Sequence, residues 1–337
     1  MRFVVVLAAL LLTACNGGPA APRTPTPAAT GAAGSSFDLF PTPSEAAVSA
    51  EPTPRAGPGR IAFSRLQSGD NVYTVFTINP DGTAARSIGA GTFAIPRWSP
   101  NGRLISISRD LVKFGSQTGS GSFLTIENAD GTGVRDLARP DPSLSLTCTT
   151  WTPDSLILAC EGWDPSRRGR EGVYTVRATD GGGLVRLTAP AGGIHDVPGD
   201  FTPDGSKLVF VRATYTPVLL GELWECGADG ANPTKLTDTL TGYRVSVSPD
   251  GHWVAGNANG ALLIFDLTTL ATEPRKITIP GGSASSPRWS PDGTQLVFQF
   301  VKKGATAPDI YIVQADGTNP RPLTLDPRRD EYPDWGP

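Results

Sequence analysis

The sequence predicts an all-β fold, a ring of six four-stranded antiparallel sheets, and three observations carry that prediction. An apolar or aromatic anchor followed by a tight polar turn recurs along the chain: Trp98-Ser-Pro-Asn-Gly, Trp151-Thr-Pro-Asp-Ser, Phe201-Thr-Pro-Asp-Gly, Val247-Ser-Pro-Asp-Gly and Trp289-Ser-Pro-Asp-Gly, with a truncated copy, Trp335-Gly-Pro337. Successive anchors lie 42 to 53 residues apart, the length of one blade of a β-propeller. Between anchors the same order of strands and turns repeats, so each interval reads as one sheet.

The first strand of each interval follows the turn: Leu104–Ser108, Leu156–Cys160, Leu208–Val211, Trp253–Ala255 and Leu296–Phe300. A loop of variable length leads to a second strand at Val72–Val75, Phe123–Ile126, Val173–Val176, Glu222–Trp224, Leu262–Phe265 and Ile310–Val313. Asp-Gly then turns the chain at Asp81, Asp130, Asp180, Asp229 and Asp316, and is replaced by Leu267-Thr-Thr269 in one blade. Gly accepts the positive φ that such hairpin turns demand, and Pro-Asp presets the first turn in the same way. A short strand opened by a basic residue ends each repeat, at Arg86, Arg135, Arg186, Lys235, Lys276 and Arg321. These basic residues are expected to be solvated outer-edge charges that blunt an edge.

The two ends of the array are out of phase. Arg60–Phe63 reads as the second strand of a blade whose innermost strand is missing, and Tyr332–Trp335 supplies that strand from the far end. Pairing the N- and C-terminal strands would close the ring and remove two exposed edges.

The repeat resembles the TolB-type (WD-repeat-like) propeller family. Its pattern is Trp-Ser-Pro-Asp-Gly, a strand ending in Phe, Ile-Tyr, Asp-Gly and Leu-Thr, matched best by Ser286–Gly293 with Ile310-Tyr311 and Leu323-Thr324. The resemblance covers about residues 59–337 and implies the propeller fold. TolB proteins of the Tol–Pal system carry a folded α/β domain ahead of the propeller, where this sequence has a linker. Family members also place an Asp five residues before the anchor; here Asp196 and Asp330 match it and four blades lack it.

Ahead of the propeller, residues 1–14 read as a secretory signal. Met1-Arg2 precedes an apolar run from Phe3 to Leu12, too short to span a bilayer as a helix. The run ends in Leu12-Thr-Ala-Cys15, which resembles the bacterial lipobox and implies a diacylglyceryl-modified Cys15. Two or three acyl chains, at about 0.8 kcal/mol per buried methylene, would anchor the chain to the outer side of a bacterial membrane. Residues 15–58 are crowded with Pro, Ala, Thr, Gly and Ser. Such a composition buries too little apolar surface to fold and reads as a tether.

Cys148 and Cys160 are equidistant from the turn at Pro153-Asp154, directly opposed on its two arms, where an exported protein forms a disulfide. Cys226 is then left as a thiol. With only His195 and His252 in the chain, a multi-histidine metal site is excluded, and no Gly-x-Ser-x-Gly elbow occurs. Neither a cofactor nor a metal is expected. A net charge of −3 argues against a nucleic-acid surface.

Sequence variation is concentrated in the loops between second and third strands, which share one face with the blade-to-blade connections. Three stand out: 110–122, 162–171 with Trp163, Arg167, Arg168 and Arg170, and 215–220 with Tyr215. His195, Asp196, Asp330 and Glu331 are expected near the axis on that face. Aromatic and Arg side chains together suit a recognition surface. The expected function is a monomeric, membrane-tethered, non-catalytic module binding an envelope protein or glycan. The competing expectation is a carbohydrate lyase or hydrolase working through those carboxylates.

Overall fold

The structure, a computed structural model, describes residues 59–67, 72–92, 94–110, 122–214, 220–240, 242–269 and 273–337. The expected signal at 1–14, Cys15, the tether at 15–58 and Tyr215 lie outside the described residues.

Among the described residues all regular structure is β, in six four-stranded antiparallel sheets. The closing sheet contains β1 (Arg60–Leu66), β2 (Val72–Ile78) and β3 (Arg86–Thr92) from the start of the array. The next blade runs through β4 (Ala94–Trp98), β5 (Leu104–Asp110), β6 (Ser122–Asn128) and β7 (Arg135–Asp136). Then come β8 (Ser145–Trp151), β9 (Ile157–Trp163), β10 (Gly172–Arg177) and β11 (Val185–Arg186). The fourth blade has β12 (His195–Phe201), β13 (Lys207–Thr214), β14 (Leu220–Gly227) and β15 (Thr234–Leu240). The fifth has β16 (Ser246–Val247), β17 (Trp253–Ala258), β18 (Ala261–Asp266) and β19 (Arg275–Ile277). The last complete set is β20 (Gly282–Trp289), β21 (Gln295–Lys302), β22 (Asp309–Gln314) and β23 (Arg321–Pro322), and β24 (Asp330–Gly336) ends the chain. β24 pairs antiparallel with β1, Trp335 opposite Ile61 and Asp330 opposite Arg65. The first sheet is thus ordered β24-β1-β2-β3, and the ring is closed as the phase of the repeats requires.

The repeated turn has a chemical reason. In each copy the Ser or Thr hydroxyl (Ser99, Thr152, Thr202, Ser248, Ser290) donates to the Asn or Asp two residues on. The same oxygen accepts the N–H five residues on, at Leu104, Ile157, Lys207, Trp253 and Gln295. The Asn or Asp oxygen also accepts the N–H two residues beyond itself. The turn is therefore satisfied by its own side chains, which is why these residue types recur.

The core lies between blades. Each anchor packs on the preceding sheet: Trp98 against Ala62, Val75 and Ile88, Trp151 against Leu124 and Ile126, Trp289 against Ala255 and Ile264. Trp335 closes the cycle against Val297, Ile310 and Ile312. The outer strands differ from the expectation in one respect. β3 and β15 are seven residues long rather than short. Arg86, Arg135, Arg186, Lys235 and Lys276 are exposed on the outer strands, as expected, and some of the recurrent Arg residues also bridge blades. Arg86 donates to the Ala129 carbonyl, Arg135 to those of Ala178 and Thr179, and Arg321 to that of Pro80, each on the next blade's outer turn. A wedge-shaped blade brings its outer edge beside that turn, so the long guanidinium bridges the gap.

Cys148 and Cys160 are opposed in β8 and β9 and are joined by a disulfide. Cys226 is a buried thiol, its pKa pushed up to about 12 by burial. Glu127 on β6 is fully buried, and neither carboxylate oxygen has a hydrogen-bond partner. It fits because Gly89 has no side chain; a Cβ there would stand 3.1 Å from Glu127 Oε2. Burial pushes the Glu127 pKa up to about 7 against the opposing charge of Arg109. The folded state therefore holds a proton that the unfolded chain releases near 4.5, and stability falls as pH rises between those values. Glu127→Gln is expected to flatten that slope and to stabilise the protein at pH 8 by on the order of 1 kcal/mol, read from urea midpoints at pH 5 and 8. An unchanged pH dependence would show that Glu127 is ionised and compensated.

Candidate functional site

The axis of the ring is lined by β4, β8, β12, β16, β20 and β24, the innermost strand of each blade. One residue from each, the one just before the anchor, forms a ring: Arg97, Thr150, Asp200, Ser246, Arg288 and Asp334. Sequence reasoning missed these six. The available signal was their uniform polarity at a position fixed relative to an apolar anchor.

This ring ties the blades together. Arg288 Nε lies 2.8 Å from Asp334 Oδ1, and its Nη1 lies 3.0 Å from Asp200 Oδ1. The other carboxylate oxygens accept backbone N–H groups of the next blade's anchor, Trp98 N to Asp334 at 2.7 Å and Val247 N to Asp200 at 3.0 Å. Ser246 Oγ accepts Trp289 N at 3.3 Å in the same manner. Thr150 Oγ1 adds a bond to Asp200 at 3.1 Å. Burial works against the Arg288 charge, but Asp200 and Asp334 hold its pKa above the ordinary value. Burial also raises the Asp200 carboxyl, partly offset by Arg288 and reinforced by Asp334. Arg97, 3% exposed, donates to the carbonyls of Thr149 and Pro96. Burial, then the like charges of Arg288 and Arg244, push its pKa down to about 9.

Bulges bend the inner strands just above the ring, between Cys148 and Thr150, Pro198 and Asp200, and Ser285 and Arg288. The β24–β1 ladder is irregular at the matching place. Ser286 and Tyr332 have φ of 53° and 56°, a left-handed backbone that is costly for a bulky side chain.

The residues singled out on the loop face form two separate groups at the ends of β12 and β24. Asp196, fully buried, pairs with Arg212 through both oxygens at 2.7 and 2.9 Å. His195 Nδ1 lies 2.9 Å from Glu161 Oε1. Burial opposes the imidazolium, but the bond to Glu161 and its charge hold the His195 pKa above the ordinary value. In the second group Asp330 binds Arg65 through both oxygens at 2.6 and 2.7 Å. Glu331 accepts the Tyr73 hydroxyl at 2.8 Å and Arg329 Nη2 at 2.5 Å. The two Asp residues that match the family position thus hold an Arg of the neighbouring strand.

Arg170 joins two loops, donating to Asp164 at 3.0 Å and to Asp141. Hydrogen bonds from Ser143 and Arg170 hold the Asp141 carboxyl down at about 2. Trp163 is half-buried, whereas Arg167 and Arg168, on the loop that follows it, are exposed. Among the described residues no group of three or more His, Cys, Asp or Glu side chains is placed to hold a metal ion.

No protein-family model matches the chain, and no curated protein matches its sequence. Solved structures do match. TolB from Acinetobacter baumannii superposes with a TM-score of 0.65 at 18% identity, over 82% of this chain and 66% of that one. A structure designated TolB from Agrobacterium tumefaciens matches with a TM-score of 0.57 at 16% identity, over 80% of this chain and 90% of that one. The hydrazine synthase of Kuenenia stuttgartiensis matches with a TM-score of 0.61 at 12% identity, over 82% of this chain and 46% of that one. This chain therefore spans just under two thirds of the Acinetobacter TolB and about half of the synthase chain. At these identities the likeness is one of fold, and the fold is that of a TolB-like six-bladed β-propeller.

Proposed function

We propose that the chain is an exported, lipid-anchored propeller that binds an envelope protein or glycan through its loop face, without catalysis. The observation that carries this reading is the disposition of charge. Asp196, Asp330, Glu331 and His195 are each engaged by a neighbouring side chain, while Arg167 and Arg168 are exposed on the loop that follows Trp163. Carboxylates engaged in ion pairs are poor acid–base groups, whereas an exposed Arg pair on a loop that starts from a half-buried aromatic suits a contact surface. The Leu12–Cys15 lipobox and the Pro-rich segment behind it support anchoring on the outer side of a bacterial membrane.

The test is capture by the immobilised propeller, from Arg60 onward, of envelope extract and an arrayed glycan panel. Trp163→Ala and the double Arg167→Ala, Arg168→Ala variant are expected to weaken capture at least tenfold. Equal capture by these variants would remove the loop face from the account. One observation favours an enzyme instead: Asp200 and Asp334 share Arg288, and burial raises the Asp200 pKa. Product release from any glycan of the panel, lost in Asp200→Asn, would establish that second reading.

A further inference from the structure

We propose that the axis holds a site for the anionic end group of a ligand, a carboxylate or a phosphate, at Arg244, Arg97 and the Tyr332 bulge. This rests on the loop-face reading and names the chemistry that a ligand entering from that face would present.

The starting point is charge balance. Three guanidiniums, Arg97, Arg244 and Arg288, meet two carboxylates, Asp200 and Asp334, and Arg288 binds both of them. Arg97 is left with only carbonyl acceptors at 3.0 and 2.8 Å. Arg244 is close enough to Arg97 to oppose its charge, so the two form a like-charged pair. Glu331 is the remaining carboxylate near Tyr332, and it is bound to Arg329 and Tyr73. Among the described residues one positive charge along the axis therefore has no anionic partner, and Arg97 of this pair is desolvated, which is unfavourable without a counter-ion.

The second observation is geometric. The Arg244 guanidinium lies 4.9 Å from the Tyr332 ring centroid and 5.3 Å from that of Tyr243. The two ring faces attract the guanidinium, and a planar guanidinium can still offer edge donors to a planar acceptor. Its Nε is buried without a hydrogen-bond acceptor. Tyr332 reaches its place only through a left-handed backbone at φ 56°, held by Gln299 Oε1, which accepts its N–H at 3.3 Å. Strain is retained at the residue that positions the unpaired guanidinium, a disposition expected where a fold prepares a ligand contact.

The third observation is access. Most of the polar ring is buried: Arg97, Thr150, Ser246 and Asp334 are each at most 4% exposed, while the side chains of Arg288 and Asp200 are 14% and 15% exposed. Arg244, Ser286 and Tyr243 are only half-buried, which opens the site toward the loop face. A carboxylate or phosphate seated there would accept from Arg244 and neutralise the excess charge against Arg97, as a bidentate guanidinium pair.

The experiment is thermal unfolding and titration calorimetry of the purified protein with succinate, inorganic phosphate and, at matched ionic strength, chloride. A saturable rise in Tm and measurable heat with succinate or phosphate, absent with chloride, is expected; the preferred anion separates a carboxylate from a phosphate ligand. Arg244→Gln is expected to weaken binding at least tenfold, and Arg244→Lys to restore part of it. Should Arg244→Gln fail to fold, Tyr243→Ala, which removes one stacking partner, is expected to weaken binding several-fold. Arg167→Ala and Arg168→Ala are expected to leave the anion response intact, so failure of the loop contact leaves this site standing. Equal responses to all three anions, or an unchanged affinity in Arg244→Gln, would overturn the proposal.

Discussion

Ending the chain before Asp330 is expected to abolish cooperative unfolding. Every residue of β24 is buried, and it closes one sheet while packing on the blade before it. Loss of the strand leaves the whole β1 edge unpaired and uncovers Val297, Ile310 and Ile312, on which Trp335 packs. It also strips Arg65 of Asp330 and Arg288 of Asp334. Deleting one buried aromatic costs about 3–5 kcal/mol, and a typical domain is stable by only about 5–15 kcal/mol. The combined loss exceeds that margin. Guanidinium titration should show a broad, shallow change in place of a single transition, with association through the exposed β1 edge. A truncated chain with the midpoint and slope of the intact protein would mean that the ring does not depend on its closing strand.

Arg288→Leu should be the most damaging single substitution on the axis. It removes the one cation that binds Asp200 and Asp334 directly, leaving them only the more distant charge of Arg97, and breaking such a buried pair costs about 3–5 kcal/mol. Both carboxylates already accept backbone N–H groups of the next anchors, so they cannot turn away to solvent. Adding Asp200→Asn and Asp334→Asn to the variant should recover at least half of the loss, because the amide oxygens still accept those N–H bonds. The single variant should also lose most at high pH. With the cation gone, the Asp200 carboxyl pKa rises further in the folded state, the folded state binds more protons, and stability falls as pH increases through that range. Loss of less than about 1 kcal/mol at pH 8 would show that the pairs are solvated.

Much of the fold was legible because the repeat states it locally. Each Ser/Thr-Pro-Asp turn satisfies itself through side chains within five residues, so its sequence signature is complete without tertiary information. The phase shift between Arg60–Phe63 and Tyr332–Trp335 likewise revealed which strand completes the first sheet. The lengths of β3 and β15 were not legible, since an outer strand extends only as far as its neighbour offers partners. Nor was the role of Arg86, Arg135 and Arg321, whose acceptors are backbone carbonyls on another blade and leave no mark in composition.

The candidate site was less legible for a related reason. Asp196 and Asp330 stood out as a family position, but only coordinates show that Arg212 and Arg65 are bound to them. The ring from Arg97 to Asp334 consists of single residues from six blades, and its meaning is the charge balance among them. Tyr332 and Arg244 are far apart in sequence and meet only because a bulge turns the inner strand. Side chains that act in combination across the axis cannot be read one repeat at a time.

The closed ring is tested most directly by amide hydrogen exchange followed along β24 and β1. On this account the β24 amides exchange only through global opening, with the same free energy as the inner strands β12 and β20. Exchange of β24 by local fraying, while β12 and β20 stay protected, would contradict it.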